Sequence, residues 1–316
     1  MKTHQPTRGR LAPSPTGAQH VGNARTYLIA WLSARSKGGR VLLRMEDIDS
    51  PRIKPGAAEQ AVDDLRWLGL DWDEGPIVQT ERLPLYEQAL DTLQQQELVY
   101  PCTCTRADVE RAASAPHQEH EGPVYPGTCA YRRAADADSL GDQAFAWRFR
   151  VPDEPITFHD AFRGPMTLNP RDLSGDFVVW KSAGTPAYQL AVVVDDALLG
   201  ITEVVRGDDL IPSTPRQLLL YRALGYAPPT FAHVPMVVGP DGRRLAKRHG
   251  DTRLASLRAA GVKPETLVGL FAWSCGWLER VEPITTQELL PRFRLDTIPP
   301  RPFVLETDLL RKIGYR

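Results

Sequence analysis

The chain has 316 residues, of which 42% are hydrophobic and 24% are charged, and its formal net charge at pH 7 is −1. This length suffices for about two domains with a sizeable core. The balanced charge excludes a polycation, so an RNA partner would need a local basic surface. We find no apolar run near the roughly 18 residues of a membrane span and no apolar signal core at the N-terminus, and we therefore expect a cytoplasmic protein without a membrane partner.

Strands and helices alternate over the first 100 residues. The pattern predicts helices over residues 24–36, 57–70 and 83–98, and a strand over 40–49 that runs into acidic residues. Such alternation favours a parallel sheet with crossover helices. The next stretch, 101–135, is rich in Cys, Pro, His and Tyr and predicts an inserted subdomain.

Alternation resumes after this insertion. The apolar run over 187–206 is split by Asp195-Asp196 and predicts two buried strands joined by a turn. The remaining predicted elements are a strand over 144–150, a helix over 215–224, a strand over 233–238, a basic loop over 241–250 and a helix over 261–279.

Residues 10–25, RLAPSPTGAQHVGNAR, combine a rigid turn with the start of a helix. Pro13 and Pro15 stiffen the chain, and Gly22 permits close approach of the backbone to a ligand. A helix that begins near Gly22-Asn23 offers free N–H groups to a phosphate. His20 can donate a hydrogen bond to a phosphoryl oxygen as charge develops. The stretch therefore predicts a nucleotide cradle, and the alternative is a proline-stiffened surface turn with a solvated histidine.

A second motif favours the nucleotide cradle. Residues 242–250, GRRLAKRHG, place several cations in a glycine-bounded loop. Lys247 is a flexible point charge suited to a moving phosphate, although a charge run is usually a solvated face. The pairing of this loop with the N-terminal turn is much rarer than either motif alone.

Together the two motifs resemble those of the class I aminoacyl-tRNA synthetases. AQHVGN matches the HIGH-type motif through His20, Val21, Gly22 and Asn23, and RLAKR matches the KMSKS-type loop with Lys247 on its second lysine. Arg244 replaces the first lysine, and Ala246 and Arg248 replace the serines. The stretches RLAPSPTG, LLRMEDIDSPR, AYQLAVVVDD, ITEVVRGDDL and STPRQ resemble the glutamyl branch, and the resemblance covers about residues 8–250.

This resemblance implies an α/β fold with a Rossmann-type doubly wound parallel sheet. It implies catalytic halves over 1–100 and 191–238, an inserted zinc-binding, acceptor-like subdomain over 101–190, and the KMSKS-type loop with a helical stem-contact region over 239–316. No anticodon-binding domain is expected, because only 66 residues follow position 250.

The resemblance also implies ATP-dependent activation of glutamate, with Mg²⁺ on the ATP phosphates. His20 and Lys247 would be catalytic, and the residues implied for ATP binding are Pro13, His20, Gly22, Asn23, Arg244, Leu245 and Lys247. The residues implied for glutamate are Arg10, Tyr188 and Arg206 at the γ-carboxylate, and Glu46 at the ammonium with the Ala12 backbone and the Ser14 hydroxyl. The alternatives are surface ion pairs of the two arginines with Asp208 or Glu203, and a core position for the tyrosine.

Cys102, Cys104 and Cys129 suit a tetrahedral zinc ion that requires a fourth ligand. Generic chemistry favours a histidine over a tyrosine, and the candidates are His117, His120, Tyr125 and Tyr131. The stretch YPGTC resembles the Tyr-x-x-x-Cys pair of enzymes that load glutamate on queuosine, which implies Tyr125. The alternative is a set of reduced free thiols without a metal.

The acceptor implied by the resemblance is queuosine at the wobble position of tRNA(Asp), with activation of glutamate independent of tRNA. The enzyme would then face the anticodon stem-loop, and we expect a monomer. Two alternatives stay open: a shortened glutamyl-tRNA synthetase that charges an acceptor end, and a catalytically silent relative that binds tRNA or a nucleotide.

Overall fold

The computed structural model describes residues 6–48, 53–112, 124–245 and 251–315. The strands in these ranges are β1 (Arg8–Leu11), β2 (Arg40–Met45), β3 (Glu74–Val78), β4 (Val99–Cys102), β5 (Ala146–Phe149), β6 (Ile156–Asp160), β7 (Gly164–Leu168), β8 (Phe177–Trp180), β9 (Glu203–Gly207), β10 (Thr230–Val234), β11 (Val237–Val238) and β12 (Phe303–Val304). The α-helices are α1 (Val21–Ser36), α2 (Ala57–Trp67), α3 (Leu83–Gln95), α4 (Arg106–Ala112), α5 (Pro170–Ser174), α6 (Tyr188–Leu198), α7 (Ser213–Ala223), α8 (Leu254–Ala259), α9 (Pro264–Ser274), α10 (Thr286–Leu289) and α11 (Thr307–Lys312).

Two sheets meet edge to edge to form the central layer. The first has the parallel order β1-β2-β3, and the second has the order β7-β6-β10-β9 with only its β7 edge antiparallel. At the junction, the Thr202 N–H donates to the carbonyl of Arg8 at 3.0 Å, and the Arg8 N–H donates to Thr202 Oγ1 at 2.8 Å. The predicted doubly wound parallel sheet is thereby confirmed, and the chain reverses its winding direction between β1 and β9.

The prediction for the first half of 187–206 is wrong. This stretch folds as α6 and not as a strand. The helix is buried among α3, α7 and β8, so most of its residues are apolar, and its central run of valines is as typical of a buried strand as of a helix. Asp195 and Asp196, which we interpreted as a turn, lie inside the helix and are 0% and 1% exposed. Their carboxylates meet buried arginines, which a periodicity argument cannot reveal.

The other predicted elements are present with shifted ends. The helices expected over 24–36, 57–70, 83–98 and 215–224 are observed as α1, α2, α3 and α7. The strand expected over 233–238 is divided between β10 and β11, and the helix expected over 261–279 is shorter, as α9.

The insertion after β4 builds a separate antiparallel sheet. Its strand order is β4-β5-β8, and it supports a small cluster of Tyr100, Cys102, Val109, Tyr125 and Cys129. The C-terminal helices α9, α10 and α11 share the main apolar core with α1. Within the residues that the structure describes, every helix is too short or too polar to cross a membrane.

Candidate active site and thiol cluster

A cavity of about 300 Å³ lies at the carboxyl ends of the parallel strands. Arg10 reaches it from β1, Glu46 directly follows β2, and Arg206 is near the end of β9. This is the place where open α/β sheets bind ligands, because the chain leaves adjacent strands in opposite directions there. The predicted site residues that line it are Arg10, Ala12, Ser14, His20, Gly22, Asn23, Glu46, Tyr188, Arg206 and Arg244.

The N-terminus of α1 forms one wall. His20 caps this helix, and its Nδ1 accepts a hydrogen bond from the Gly22 N–H at 3.2 Å. Its Nε2 therefore carries the proton in the neutral ring and can donate to an oxygen in the cavity. Burial, with Arg244 adding to the effect, lowers the pKa of His20 to about 4. The wall thus offers a neutral donor beside the positive end of a helix dipole, which suits a phosphate.

A network of buried charges adjoins the cavity, and its members Arg10 and Glu46 line it. Arg44 Nη2 donates to Glu46 Oε1 at 2.9 Å, and its Nη1 donates to Asp196 Oδ1 at 2.6 Å. Arg10 Nε lies 3.7 Å from the same Asp196 oxygen. Burial raises the pKa of Glu46, and Arg44 opposes this shift. Glu46 is therefore held in a fixed position with its carboxylate at the cavity, where it can accept from an ammonium group.

Arg206 differs from these arginines because its partners are neutral. It is 4% exposed, and within the described ranges no carboxylate lies within 4.0 Å of its guanidinium. Burial lowers its pKa, and Arg10 adds to the shift. A buried guanidinium is costly unless an anion pairs with it. The alternative, a surface ion pair of Arg206 with Asp208 or Glu203, is not observed in the described structure, since Asp208 pairs with Arg163 and Glu203 pairs with Lys37.

A turn after β11 brings the start of the basic loop to the cavity. The Gly239 N–H donates to the carbonyl of Arg243 at 2.8 Å, and Arg244 Nη1 lies 3.5 Å from Asp209 Oδ2. Lys247, Ala246 and Arg248 lie outside the described residues. The segment that follows them returns to the cradle, since the Val21 N–H donates to the carbonyl of Thr252 at 2.9 Å.

Among the predicted residues that the structure describes, two are absent from the cavity lining. Pro13 is instead a backbone partner, whose carbonyl accepts from the Glu46 N–H at 3.0 Å. Leu245 packs against the main apolar core. Sequence reasoning assigned no role to the other lining residues. Thr26, Tyr27, Met236 and Val237 lie outside the quoted motifs, whereas Val205, Gly207, Asp209 and Leu210 lie in ITEVVRGDDL.

The inserted sheet carries a second candidate site. The sulfur atoms of Cys102, Cys104 and Cys129 all lie within 4.8 Å of one another, so they can hold a metal ion. Burial raises the pKa of the Cys104 thiol to about 11. Burial also opposes ionisation of Cys129, but hydrogen bonds from the Thr103 backbone and its other neighbours lower its pKa to about 7. A thiolate that forms near neutral pH favours metal binding.

Tyr125 completes this cluster. Its Oη accepts from the Cys129 N–H at 2.8 Å and lies 3.3 Å from Cys102 Sγ and 4.0 Å from Cys104 Sγ. Tyr131, in contrast, is 78% exposed. Arg148 donates from Nε to Cys102 Sγ at 3.3 Å and supplies positive charge beside the thiols. The arrangement favours Tyr125 over Tyr131 as a fourth ligand, and His117 and His120 lie outside the described residues.

The chain is similar to known proteins in sequence and in fold. The model of the family described as tRNA synthetases class I (E and Q), catalytic domain, matches residues 6–306. A glutamyl-Q tRNA(Asp) synthetase of Symbiobacterium thermophilum is 54% identical over 97% of this chain and 98% of its own. One of Rhodopirellula baltica is 58% identical over 84% of each chain. The crystal structure of a glutamate tRNA ligase from Elizabethkingia meningosepticum, in complex with its amino acid, has a TM-score of 0.82 and 27% identity and covers 98% of this chain and 69% of its own.

Proposed function

We propose a reaction for this chain, which belongs to the class I tRNA synthetases of the E and Q type: it is a ligase that activates L-glutamate with ATP, without tRNA, and transfers the glutamyl group to queuosine of tRNA(Asp). The family match over residues 6–306 confirms the resemblance inferred from the motifs. Two relatives of 54% and 58% identity that are named for glutamyl-Q tRNA(Asp) support this acceptor.

The choice of glutamate as the amino acid rests on the surroundings of Arg206. Its buried charge lacks a carboxylate partner among the described residues, while Glu46 offers a carboxylate across the same cavity. The γ-carboxylate of glutamate can pair with Arg206, and its ammonium group can pair with Glu46. Arg10 and Tyr188 line the cavity as further contacts for the γ-carboxylate, and the Ala12 backbone and Ser14 lie beside Glu46 for the amine.

Activation is a transfer of AMP to the α-carboxylate. One carboxylate oxygen attacks the α-phosphorus of ATP. The bond between this phosphorus and the oxygen that bridges the α- and β-phosphates breaks, and pyrophosphate leaves. The chain contributes position and charge in such reactions and forms no covalent bond. His20 donates from Nε2 to phosphate oxygens, Arg244 supplies charge, and the backbone at Gly22 and Asn23 allows close approach. Mg²⁺ belongs to the ATP substrate, and Lys247 is the further cation that we assign to pyrophosphate.

Transfer completes the reaction. A hydroxyl of the queuosine cyclopentene attacks the carbonyl carbon of the glutamyl-adenylate and forms an ester. The bond between that carbon and the phosphate oxygen breaks, AMP leaves with this oxygen, and the hydroxyl proton passes to solvent. We place the enzyme in the cytoplasm, where ATP and tRNA are available, and expect it to act as a monomer on the anticodon stem-loop.

Zinc is the metal that we assign to Cys102, Cys104, Tyr125 and Cys129. Three clustered sulfur atoms supply the soft donors that Zn²⁺ prefers, and the oxygen of the buried Tyr125 phenol can supply the fourth ligand of a tetrahedral site. Bound there, the ion would stabilise the inserted subdomain by cross-linking β4 to the segment around residues 125–129. It takes no part in the chemistry at the cavity, because the thiols belong to a separate sheet and a separate apolar cluster.

The test of activation is exchange of labelled pyrophosphate into ATP by the purified full chain. We expect exchange that depends on glutamate, needs no tRNA and is much weaker with glutamine or aspartate. Exchange that needs tRNA would contradict the proposed independence from tRNA, and absence of exchange would favour a silent relative. A shortened glutamyl-tRNA synthetase, which the likeness to a glutamate tRNA ligase supports, would instead charge tRNA(Glu).

A further inference from the structure

Arg206 is fixed by three residues to which the sequence motifs assign no role, although Thr214 and Gln217 lie in the stretch STPRQ. Its Nε donates to His233 Nε2 at 2.9 Å, its Nη1 donates to Gln217 Oε1 at 2.8 Å, and its Nη2 donates to Thr214 Oγ1 at 2.9 Å. His233 and Thr214 are 0% exposed, and Gln217 is 1% exposed. All three acceptors are uncharged, so they orient the guanidinium without neutralising it.

His233 has a defined tautomer. It pairs with Arg206 in the register of β9 and β10. Because the Nε–H of Arg206 is a donor, His233 Nε2 accepts and the ring proton lies on Nδ1. That nitrogen is 2.6 Å from Asp160 Oδ2, at the end of β6. The imidazole is therefore a neutral bridge between a carboxylate and a guanidinium that do not touch each other.

Asp160 is itself secured by the backbone. Its Oδ1 accepts from the N–H groups of Phe162 at 3.0 Å, Arg163 at 2.8 Å and His233 at 3.2 Å. It is fully buried. Burial opposes ionisation, but the hydrogen bonds from His233 and Arg163 lower the pKa of Asp160. The carboxylate is thus held as an anion with its free oxygen directed at the imidazole.

We propose that His233 and Asp160 are positioning residues, which fix Arg206 through a neutral imidazole so that its charge stays available to the γ-carboxylate of glutamate. This inference rests on the proposed function. A carboxylate in direct contact with Arg206 would compete with the substrate for the guanidinium. A neutral acceptor avoids the competition, and Asp160 prevents the ring from rotating or changing tautomer.

The groups around His233 keep it neutral at working pH. Asp160 faces it from β6, Arg206 from β9 and Thr214 from α7, and Arg10 acts on it from β1. Burial lowers its pKa to about 4, with Arg206 and Arg10 adding to the effect and Asp160 opposing it. Protonation would remove the acceptor of the Arg206 Nε–H and place two cations in contact.

A matched pair of variants tests the proposal. His233→Gln and His233→Glu have similar size and reach, and both can accept from Arg206, but only the second brings a negative charge. Titration calorimetry on the full chain would measure glutamate and ATP binding. We expect glutamate affinity to fall by less than about 10-fold with Gln and by roughly 100-fold or more with Glu, with ATP affinity the same in both. A merely structural role predicts equal losses, and that result would overturn the proposal.

Asp160→Asn is a second test that keeps the imidazole. We expect the KM for glutamate in pyrophosphate exchange to rise roughly fivefold through looser positioning of Arg206, while kcat and the KM for ATP change less. Thermal melting of each variant monitors folding, and if neither His233 variant folds, Asp160→Asn decides. An unchanged glutamate KM in that variant would overturn the proposal. A wild-type chain that does not bind glutamate would instead refute the proposed function, and this inference with it.

Discussion

Two buried arginines, of which Arg206 lines the cavity and Arg44 contacts the lining residue Glu46, have opposite surroundings. Arg44 meets Glu46 and Asp196 within hydrogen-bond distance and has Asp195 at 3.7 Å, whereas Arg206 is surrounded by His233, Thr214 and Gln217. Burial opposes the charge of Arg44, but its three carboxylates raise its pKa well above the usual value. Burial lowers the pKa of Arg206. The first guanidinium is neutralised by the fold, and the second is left for a ligand.

This difference predicts that Arg44 contributes mainly to folding stability and that Arg206 contributes mainly to glutamate affinity. Removal of Arg44 should cost folding stability, because it leaves carboxylates buried and unpaired. Removal of Arg206 should cost glutamate affinity and less stability than removal of Arg44, because its hydrogen bonds go to neutral groups and no buried carboxylate loses its partner. Substituting both with methionine, which has a similar apolar stem, separates the two effects.

Arg44→Met has the largest expected effect. Breaking a buried ion pair from one side typically costs about 3–5 kcal/mol, and Asp195 and Asp196 would both lose a partner. Chemical denaturation should show this loss in the free energy of unfolding. A loss below 1 kcal/mol would mean that the network contributes no more than a surface ion pair.

Arg206→Met should lower glutamate affinity by roughly 100-fold. It should lower the free energy of unfolding less than Arg44→Met does, because removal of a buried charge without a carboxylate partner offsets the loss of its hydrogen bonds to His233, Gln217 and Thr214. Calorimetry with glutamate and denaturation of the same preparation measure both quantities. Glutamine, which lacks the γ-charge, should lose far less affinity than glutamate. Equal losses for the two amino acids would contradict a charge-based role.

The thiol cluster is the reverse case of Arg206: Arg206 requires an anionic ligand, whereas the thiols would require a cation. Cys104→Ser should reduce bound zinc from about one ion per chain to nearly none, because three remaining ligands hold the ion poorly. Elemental analysis of purified protein measures this. Cys275→Ser is the matched control, since Cys275 is buried in the main core away from the cluster. A chain that lacks zinc before substitution would contradict the assignment.

The smallest expected effect concerns the pKa of His20. Its pKa is lowered to about 4, so it stays neutral between pH 6 and 8 and becomes charged only as the pH falls towards the lowered value. NMR titration should show one histidine, absent from a His20→Asn sample, that titrates well below 6.5. Titration of that signal near the ordinary value would mean that the ring is more solvated than the fold indicates.

Motif residues and packing residues differ in how well the sequence reveals them. Arg10, His20, Glu46 and Arg206 were predicted because their chemistry and order resemble a known family, and the fold brings them to one cavity. His233 and Asp160 are 73 residues apart in the chain. Only the pairing of β6, β10 and β9 brings them to Arg206, so their relation follows from topology.

The error at α6 has a related physical cause. A helix that is buried on most sides needs no polar face, and valines at its centre favour a strand by propensity. The two aspartates were interpreted as exposed turn residues. Asp195 instead accepts from Gln79, Arg82 and Tyr86, all distant in sequence. A charged side chain can be buried where the fold supplies hydrogen-bond or ion-pair partners for it, and these partners are distant in the sequence.

Transfer of labelled glutamate, with ATP and Mg²⁺, to purified tRNA tests the central claim most directly. The acceptors would be tRNA(Asp) with queuosine, the same tRNA with guanosine at the wobble position, and tRNA(Glu). We predict label on tRNA(Asp) only when queuosine is present. Label on tRNA(Glu), or equal label on both forms of tRNA(Asp), would contradict the account.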